Sequence, residues 1–287
     1  MFTKFTKTTD RLNMQVVKLL FTTMTQPLYK FRGQSDRYDG ITVDSKLEPC
    51  EAEIFSKRLE VSLDQWIKDK RRTVWFQVDL SQSYWIPELI KRGFKFHHAK
   101  EDRAMLYRWL SNIEMSNVPP YAHTNIGVGA VVLNDKTKEI LVVKDKHGIS
   151  TSNWKLPGGY IELEEDIAHA AEREVVEETG VIAKFKCLLA IRHTHYSTFG
   201  CSDIYTICCL VPQTFNIVKC HREISECQWM KLEEFITHPH VHSNNRLLAS
   251  KIMEYINHRM GLTVTKAIHP LTKKPLCIFS ISDTNDS

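Results

Sequence analysis

No run of apolar residues in this 287-residue chain approaches the roughly eighteen needed to cross a bilayer, and no secretory signal with a proper apolar centre is visible. The expectation is therefore an intracellular, cytoplasmic protein without a membrane partner. The eight cysteines contain no CxxC pair and no disulfide-framework spacing, so reduced thiols are expected, including the neighbours Cys208 and Cys209. Cys220, His221 and Cys227 lack a fourth ligand at a spacing that zinc would need. Acidic residues are scarce near the N-terminus. Residues 1–34 hold Lys4, Lys7, Arg11, Lys18, Lys30 and Arg32 against Asp10 alone, a charge of +5, which leaves −1 for the rest of this +4 chain. With the basicity concentrated in a tail, a broad nucleic-acid groove on the folded body is not expected. The Thr-rich, acid-poor tail has some likeness to a mitochondrial presequence, and mitochondrial import is the alternative to a cytoplasmic location.

Hydrophobic residues make up 43% of the chain, enough at this length for a sizeable core and two domains. The best boundary is Ser116-Asn-Val-Pro-Pro-Tyr121. Upstream, residues 49–69 and 84–91 have helical character and residues 73–80, 94–98 and 104–109 read as strands, an alternating α/β module. It carries no internal repeat, low-complexity tract or glycine-rich cofactor fingerprint. His97 and His98 are adjacent on an expected strand and should point to opposite faces, which argues against joint metal binding. Downstream, residues 126–133 and 139–144 read as a hairpin, residues 183–192, 202–211 and 226–230 as further strands, and 246–259 as an amphipathic helix. Residues 264–268 and 276–281 flank a turn and read as a last hairpin.

The most informative segment is Gly159-YIELEEDIAHAAEREVVEETG-Val181. It places Gly159, Glu165, Arg173, Glu174, Val175, Glu177, Glu178, Gly180 and Val181 in the pattern G-x5-E-x7-R-E-U-x-E-E-x-G-U, U being a bulky aliphatic. Such a match arises by chance in about one chain of this length in ten million. Residues 165–178 are good helix formers without Pro or Gly, so a helix is expected there. Glu174, Glu177 and Glu178 stand at i, i+3 and i+4 on it, with carboxylates on one face. Crowded carboxylates repel unless a cation sits among them, and hard oxygen ligands suit Mg²⁺ or Mn²⁺. Arg173 is placed to orient a carboxylate. The preceding Trp154-Lys-Leu-Pro-Gly158-Gly159 breaks from an extended piece into a turn whose paired glycines let backbone approach a ligand.

This pattern is the Nudix box, and the chain is identified by it as similar to the Nudix hydrolase family. Tyr38-Asp-Gly-Ile-Thr-Val43, the Gly93-Phe-Lys-Phe-His-His-Ala99 run and Ser202-Asp-Ile-Tyr205 narrow the resemblance to the subfamily of the animal nudix motif 6 protein and plant ADP-ribose/NADH pyrophosphatases, over roughly residues 31–260. The resemblance implies an α/β fold: a Nudix α/β/α sandwich with a mixed sheet, preceded by a smaller, acetyltransferase-like α/β domain. The division expected is a basic flexible tail over 1–30, the upstream domain over 31–115, the Nudix domain over 121–261 and an extension over 262–287. The upstream domain lacks a Q/R-x-x-G-x-G/A loop for acetyl-coenzyme A and is read as an interaction or regulatory module.

The activity implied is hydrolysis of the P–O–P bond in a nucleoside diphosphate linked to another moiety, with NADH or ADP-ribose first. Glu174, Glu177 and Glu178 are the expected metal ligands. Glu165 is a further ligand or a carboxylate that positions water, and Arg173 supports the set. Gly158, Gly159, Arg192 and Glu223 are the expected substrate contacts. The alternatives are a partner-binding protein with a vestigial Nudix domain, or a hydrolase of capped RNA or coenzyme A derivatives. A nucleotide-derived small molecule is the expected partner, and the family resemblance implies a homodimer.

Overall fold

The computed structural model describes residues 30–148 and 151–284. The basic tail lies outside the described residues except for Lys30. Chain contacts divide the protein into two compact units, Met1–Ala122 and His123–Ser287.

In the first unit, β1 (Gln34–Ser35), β2 (Gly40–Asp44), β3 (Thr73–Asp79), β4 (Lys95–Lys100) and β5 (Arg103–Trp109) form one sheet in the order β1-β2-β3-β5-β4. The parallel pair β2 and β3 is joined by helix α1 (Ala52–Lys68), because a parallel connection needs a long crossover. A shorter helix, α2 (Trp85–Lys91), links β3 to β4. Alternation along β3 sends Val74, Phe76 and Val78 into the core, while Trp75 and Gln77 take the other face. The core is aromatic. Phe55 stacks on Trp85 at 4.5 Å, and Phe76 meets Phe31, Phe94 and Trp85 edge-on at 5.4 to 6.0 Å.

One expectation fails in this sheet. A register shift between Phe96 and His98, where β4 pairs with β5, undoes the alternation. The His97 and His98 rings therefore come together, with their Nδ1 atoms 2.7 Å apart and sharing a hydrogen bond. Tyr121 stacks on His98 at 4.5 Å, and the Pro119 carbonyl lies 2.9 Å from His97 Nε2. Both imidazoles are thus engaged by the chain itself.

The second unit is built on a seven-stranded mixed sheet in the order β10-β7-β6-β9-β8-β11-β12. These strands are β6 (Thr124–Asn134), β7 (Glu139–Asp145), β8 (Ala183–Thr194), β9 (Ser202–Pro212), β10 (Ile224–Lys231), β11 (Met260–Ile268) and β12 (Pro275–Asp283). Helix α3 (Ile167–Thr179) covers one face through Ala170, Ala171 and Val175, packed on Val128, Ala130 and Val132 of β6. Helices α4 (Leu232–Thr237) and α5 (Ser243–His258) cover the other, with Phe235, Ala249 and Ile252 on Val131, Ile140 and Ile207. The result is an α/β/α sandwich. The segment set apart as an extension, 262–287, supplies most of the β11–β12 hairpin, which pairs over nine positions and joins the sheet beside β8. No helix among the described residues is long and apolar enough to cross a membrane.

β6 and β7 pair only at their hairpin end, Leu133 with Ile140 and Asn134 with Glu139. Beyond it they part, and residues 155–160 enter the gap. Lys155 exchanges two backbone hydrogen bonds of 2.9 Å with Val143 of β7. On the other side the Ala130 and Val128 N–H groups of β6 donate to the carbonyls of Pro157 and Gly159.

Phe76 is fully buried among five aromatic rings, so Phe76→Ala should cost about 3–5 kcal/mol by lost transfer energy and the cavity left behind. The check is urea unfolding followed by tryptophan fluorescence, with Leu80→Ala, at 65% exposure, expected to stay within about 0.5 kcal/mol of wild type.

Candidate active site

The wedged segment puts Gly158 and Gly159 where a side chain cannot go. Gly158 has φ +150°, and a Cβ there would lie 2.0 Å from the Val128 carbonyl oxygen. A Cβ on Gly159 would lie 2.7 Å from the Glu174 carboxylate. The Gly158 N–H donates to Glu178 Oε2 at 3.1 Å. Two carboxylates of α3 therefore meet the glycine turn directly.

Helix α3 begins two residues later than the sequence suggests. Glu164 adopts φ +66° and Asp166 is extended at the N-cap, so Glu165 precedes the helix. Asp166 is held by Lys266 of β11 at 3.0 Å and accepts from the Cys277 thiol of β12, so the terminal hairpin anchors the start of α3. Gly180 ends the helix in the left-handed conformation.

The released Glu165 turns to Arg173, accepting from its Nε and Nη2 at 2.8 Å each. Arg173 also donates to Glu174 at 2.9 Å, to Glu177 at 3.1 Å and to the Tyr160 carbonyl at 3.1 Å. One guanidinium thus joins three of the four expected carboxylates. It holds Glu165 below the usual carboxylate range. The fourth, Glu178, shares the apolar side of α3 with Ala171 and Val175 and is only 6% exposed. Burial pushes its carboxyl up to about 7, against relief from Lys155 and the Gly158 N–H. Burial also raises Glu174, with Arg173 opposing. Glu177 points outward, its side chain 57% exposed. The expected common face is therefore split: Glu174 and Glu178 turn inward, and Glu177 is linked through Arg173 to Glu174 alone of the two. Among the described residues, no three His, Cys, Asp or Glu side chains converge as a ready-made metal cage.

A cavity of about 500 Å³ opens at the same turn. Lys155, Gly158 and Gly159 line it at the turn, Arg192, Asp203 and Tyr205 along the ends of β8 and β9, and His242, Asn244 and Asn245 where α5 begins. Lys155 is paired with Asp145 at 2.8 Å. The Tyr205 ring occupies the space left by Gly127 and Gly129, since a Cβ on Gly129 would lie 2.7 Å from it. Burial and then the charge of Glu178 push the Tyr205 phenol up, so the cavity wall and α3 are electrostatically in touch.

Arg192 lines this cavity as expected of a substrate contact. Glu223 does not. It precedes the edge strand β10, is 58% exposed and pairs with Arg222 at 3.3 Å. Asp203, Tyr205 and the start of α5 received no role from the sequence. A signal was present for two of them: Asp203 and Tyr205 are two apart on β9, and Gly127-x-Gly129 on β6 marks room for a large neighbour.

The second unit is thus an α/β/α sandwich with a glycine turn and a carboxylate helix beside a polar cavity. Residues 31–110 match the family model described as Nudix hydrolase domain, and residues 123–250 the one described as NUDIX domain. The human protein named nucleoside diphosphate-linked moiety X motif 6 is 40% identical over 209 residues, which cover 71% of this chain and 66% of that protein. Nudix hydrolase 7 of Arabidopsis thaliana is 34% identical over 76% of this chain and 77% of its own length, and Nudix hydrolase 6 of the same plant 36% over 82% and 87%. The chain belongs to the Nudix hydrolase family, whose members are enzymes acting on nucleoside diphosphate-linked moieties.

The raised Glu178 carboxyl sets a pH dependence. Folding lifts it from an ordinary 4.5 to about 7, so the native state holds a proton that the unfolded chain has released. Stability of the metal-free protein should fall as pH rises through that window. In metal-free buffer at pH 8, Glu178→Gln should stabilise the protein by about 1–3 kcal/mol, because it keeps the Gly158 hydrogen bond and removes the buried charge. Thermal melting checks this, and a lower melting temperature for the variant would refute the burial account.

Proposed function

We propose that this chain hydrolyses the P–O–P bond of NADH and ADP-ribose with Mg²⁺ or Mn²⁺. The observation that carries this reading is the Gly158–Gly159 turn, which touches Glu174, Glu178 and the cavity at once. The donor set fits a hard divalent cation: carboxylate oxygens only, two of them in groups whose ionised form burial disfavours and a cation would favour. Glu174, Glu177 and Glu178 would hold the ion. Bound there, it neutralises a diphosphate and acidifies water.

The protein's own groups do the rest. Gly158 and Gly159 present backbone where a side chain would block the diphosphate. Lys155, poised by Asp145, adds a positive charge at the same end. Arg173 keeps Glu174 and Glu177 oriented, and Glu165 fixes Arg173 through a two-point pair. The proton of the attacking water passes to a carboxylate of this set. A volume of about 500 Å³ suits a nucleotide derivative, and Arg192 adds a further positive charge to its wall.

The test is incubation with Mg²⁺ or Mn²⁺ and a panel of NADH, ADP-ribose, coenzyme A, flavin dinucleotide and capped RNA. NADH and ADP-ribose should be cleaved, each releasing AMP, and Glu177→Gln should slow both by roughly 100-fold or more. Both substrates left intact while another diphosphate turns over would sink the assignment.

A further inference from the structure

The cavity holds one buried acid for which the reaction described above has no use. Asp203 is 7% exposed, yet it lines the cavity. Among the described residues, one hydrogen bond reaches its carboxylate, from Arg192 Nη2 at a long 3.4 Å. Arg192 lies over the Tyr205 ring at 4.6 Å, and its Nε is buried without a hydrogen-bond partner among the described residues. Asp203 is fixed by backbone pairing on both sides, with Asn125 of β6 and Thr194 of β8. A buried carboxylate can accept about four hydrogen bonds and is costly to leave short of them. The complement missing from this wall is a pair of neutral donors.

Two hydroxyls on adjacent carbons match two carboxylate oxygens, which is how an acidic residue selects the ribose of a dinucleotide in doubly wound folds. A phosphate in place of either hydroxyl would bring a second negative charge against Asp203 in a shielded site. The surroundings indicate which sugar lies there. In the segment that follows β8, Ser197 lines the cavity, and Tyr196 and Phe199 are 94% and 98% exposed, each at φ +57°. Non-glycine residues held in that conformation are strained, and these two, flanking Ser197 within seven residues of Asp203 in the chain, keep aromatic faces in solvent. A base belongs there, next to its ribose. The half common to NADH and ADP-ribose is adenosine diphosphate.

We infer that Asp203 selects an unmodified adenosine ribose by accepting from its 2′- and 3′-hydroxyls, and so rejects substrates phosphorylated on that ribose, NADPH at the 2′ position and coenzyme A at the 3′ position. This deepens the proposed function and rests on it. Asp203 takes no part in P–O–P cleavage; it sets which nucleotide is held.

The experiment compares kcat and KM for NADH against NADPH, and for ADP-ribose against its 2′-phosphate, in wild type and Asp203→Asn, with melting curves showing that the variant folds. Wild type should favour the unphosphorylated member of each pair by about 50-fold or more, mostly in KM, as like charges juxtaposed in a shielded site require. Asp203→Asn should shrink that preference to about fivefold or less and raise KM for ADP-ribose about tenfold, with kcat within about threefold. A wild-type preference under about threefold overturns the inference without any variant, and so does a preference that survives in Asp203→Asn. If neither NADH nor ADP-ribose is cleaved, the proposed function fails, and calorimetric binding of ADP-ribose and its 2′-phosphate with Mg²⁺ then decides the role of Asp203. Tighter binding of the unphosphorylated compound, lost in Asp203→Asn, upholds it; equal binding, or none, overturns it.

Discussion

The catalytic unit depends on a gap in its own sheet. β6 and β7 part after two paired positions, and residues 155–160 fill the opening with backbone hydrogen bonds to both strands. Helix α3 and the cavity belong to opposite faces of that sheet. The apolar contacts of α3 are Val128, Ala130 and Val132, whereas Gly127, Gly129 and Tyr205 share the other face with Val131 and Ile207. An unbroken sheet would keep carboxylates and cavity apart. Residues 155–160 close the opening, and at Gly158 and Gly159 the backbone that lines the cavity also meets Glu178 and Glu174 of α3. Each glycine is required by contact at this point, with Val128 on one side and Glu174 on the other.

The same arrangement sets an electrostatic tension. Glu178 sits among the packing residues of α3, so its ionised form is costly when nothing positive faces it. Arg173 gathers Glu165, Glu174 and Glu177 but does not reach Glu178. The motif thus separates two jobs, three acids ordered by a guanidinium and one held at the turn by burial and a single N–H. The ionised form of Glu178 thus works against the stability of the metal-free protein. The terminal hairpin contributes at a distance, because Lys266 and Cys277 hold Asp166 and so fix where the helix begins.

The first unit follows a simpler logic of one aromatic core under two helices. Its departure from regularity is the bulge in β4, which turns two histidines to the same side and occupies them with Pro119 and Tyr121. A bulge needs one extra residue in a strand and leaves no compositional mark. The pleat rule applied to His97 and His98 was sound physics on the wrong register.

Most helices and strands of both units were legible in the sequence because local apolar period and turn residues specify them; β1, β2 and α4, all short, were not. The α/β class followed from their alternation, and Glu165, Arg173, Glu174, Glu177 and Glu178 were legible as a group because their spacing is a property of one segment. What that spacing could not say is which carboxylates face inward, since that depends on where α3 lies against β6. Arg192 could be nominated from its loop, but Glu223 could not be ruled in or out without knowing that β10 is an edge strand. Asp203 and Tyr205 are far in the chain from the glycine turn and from the start of α5, and meet them only because β6 pairs with β9 and α5 packs across the sheet. The sequence by itself determined which acids and which arginine the box brings together, since residues of one short segment are near each other without the rest of the fold. Only the tertiary structure decided the cavity and its buried acid, because those depend on long-range pairing that no local pattern encodes.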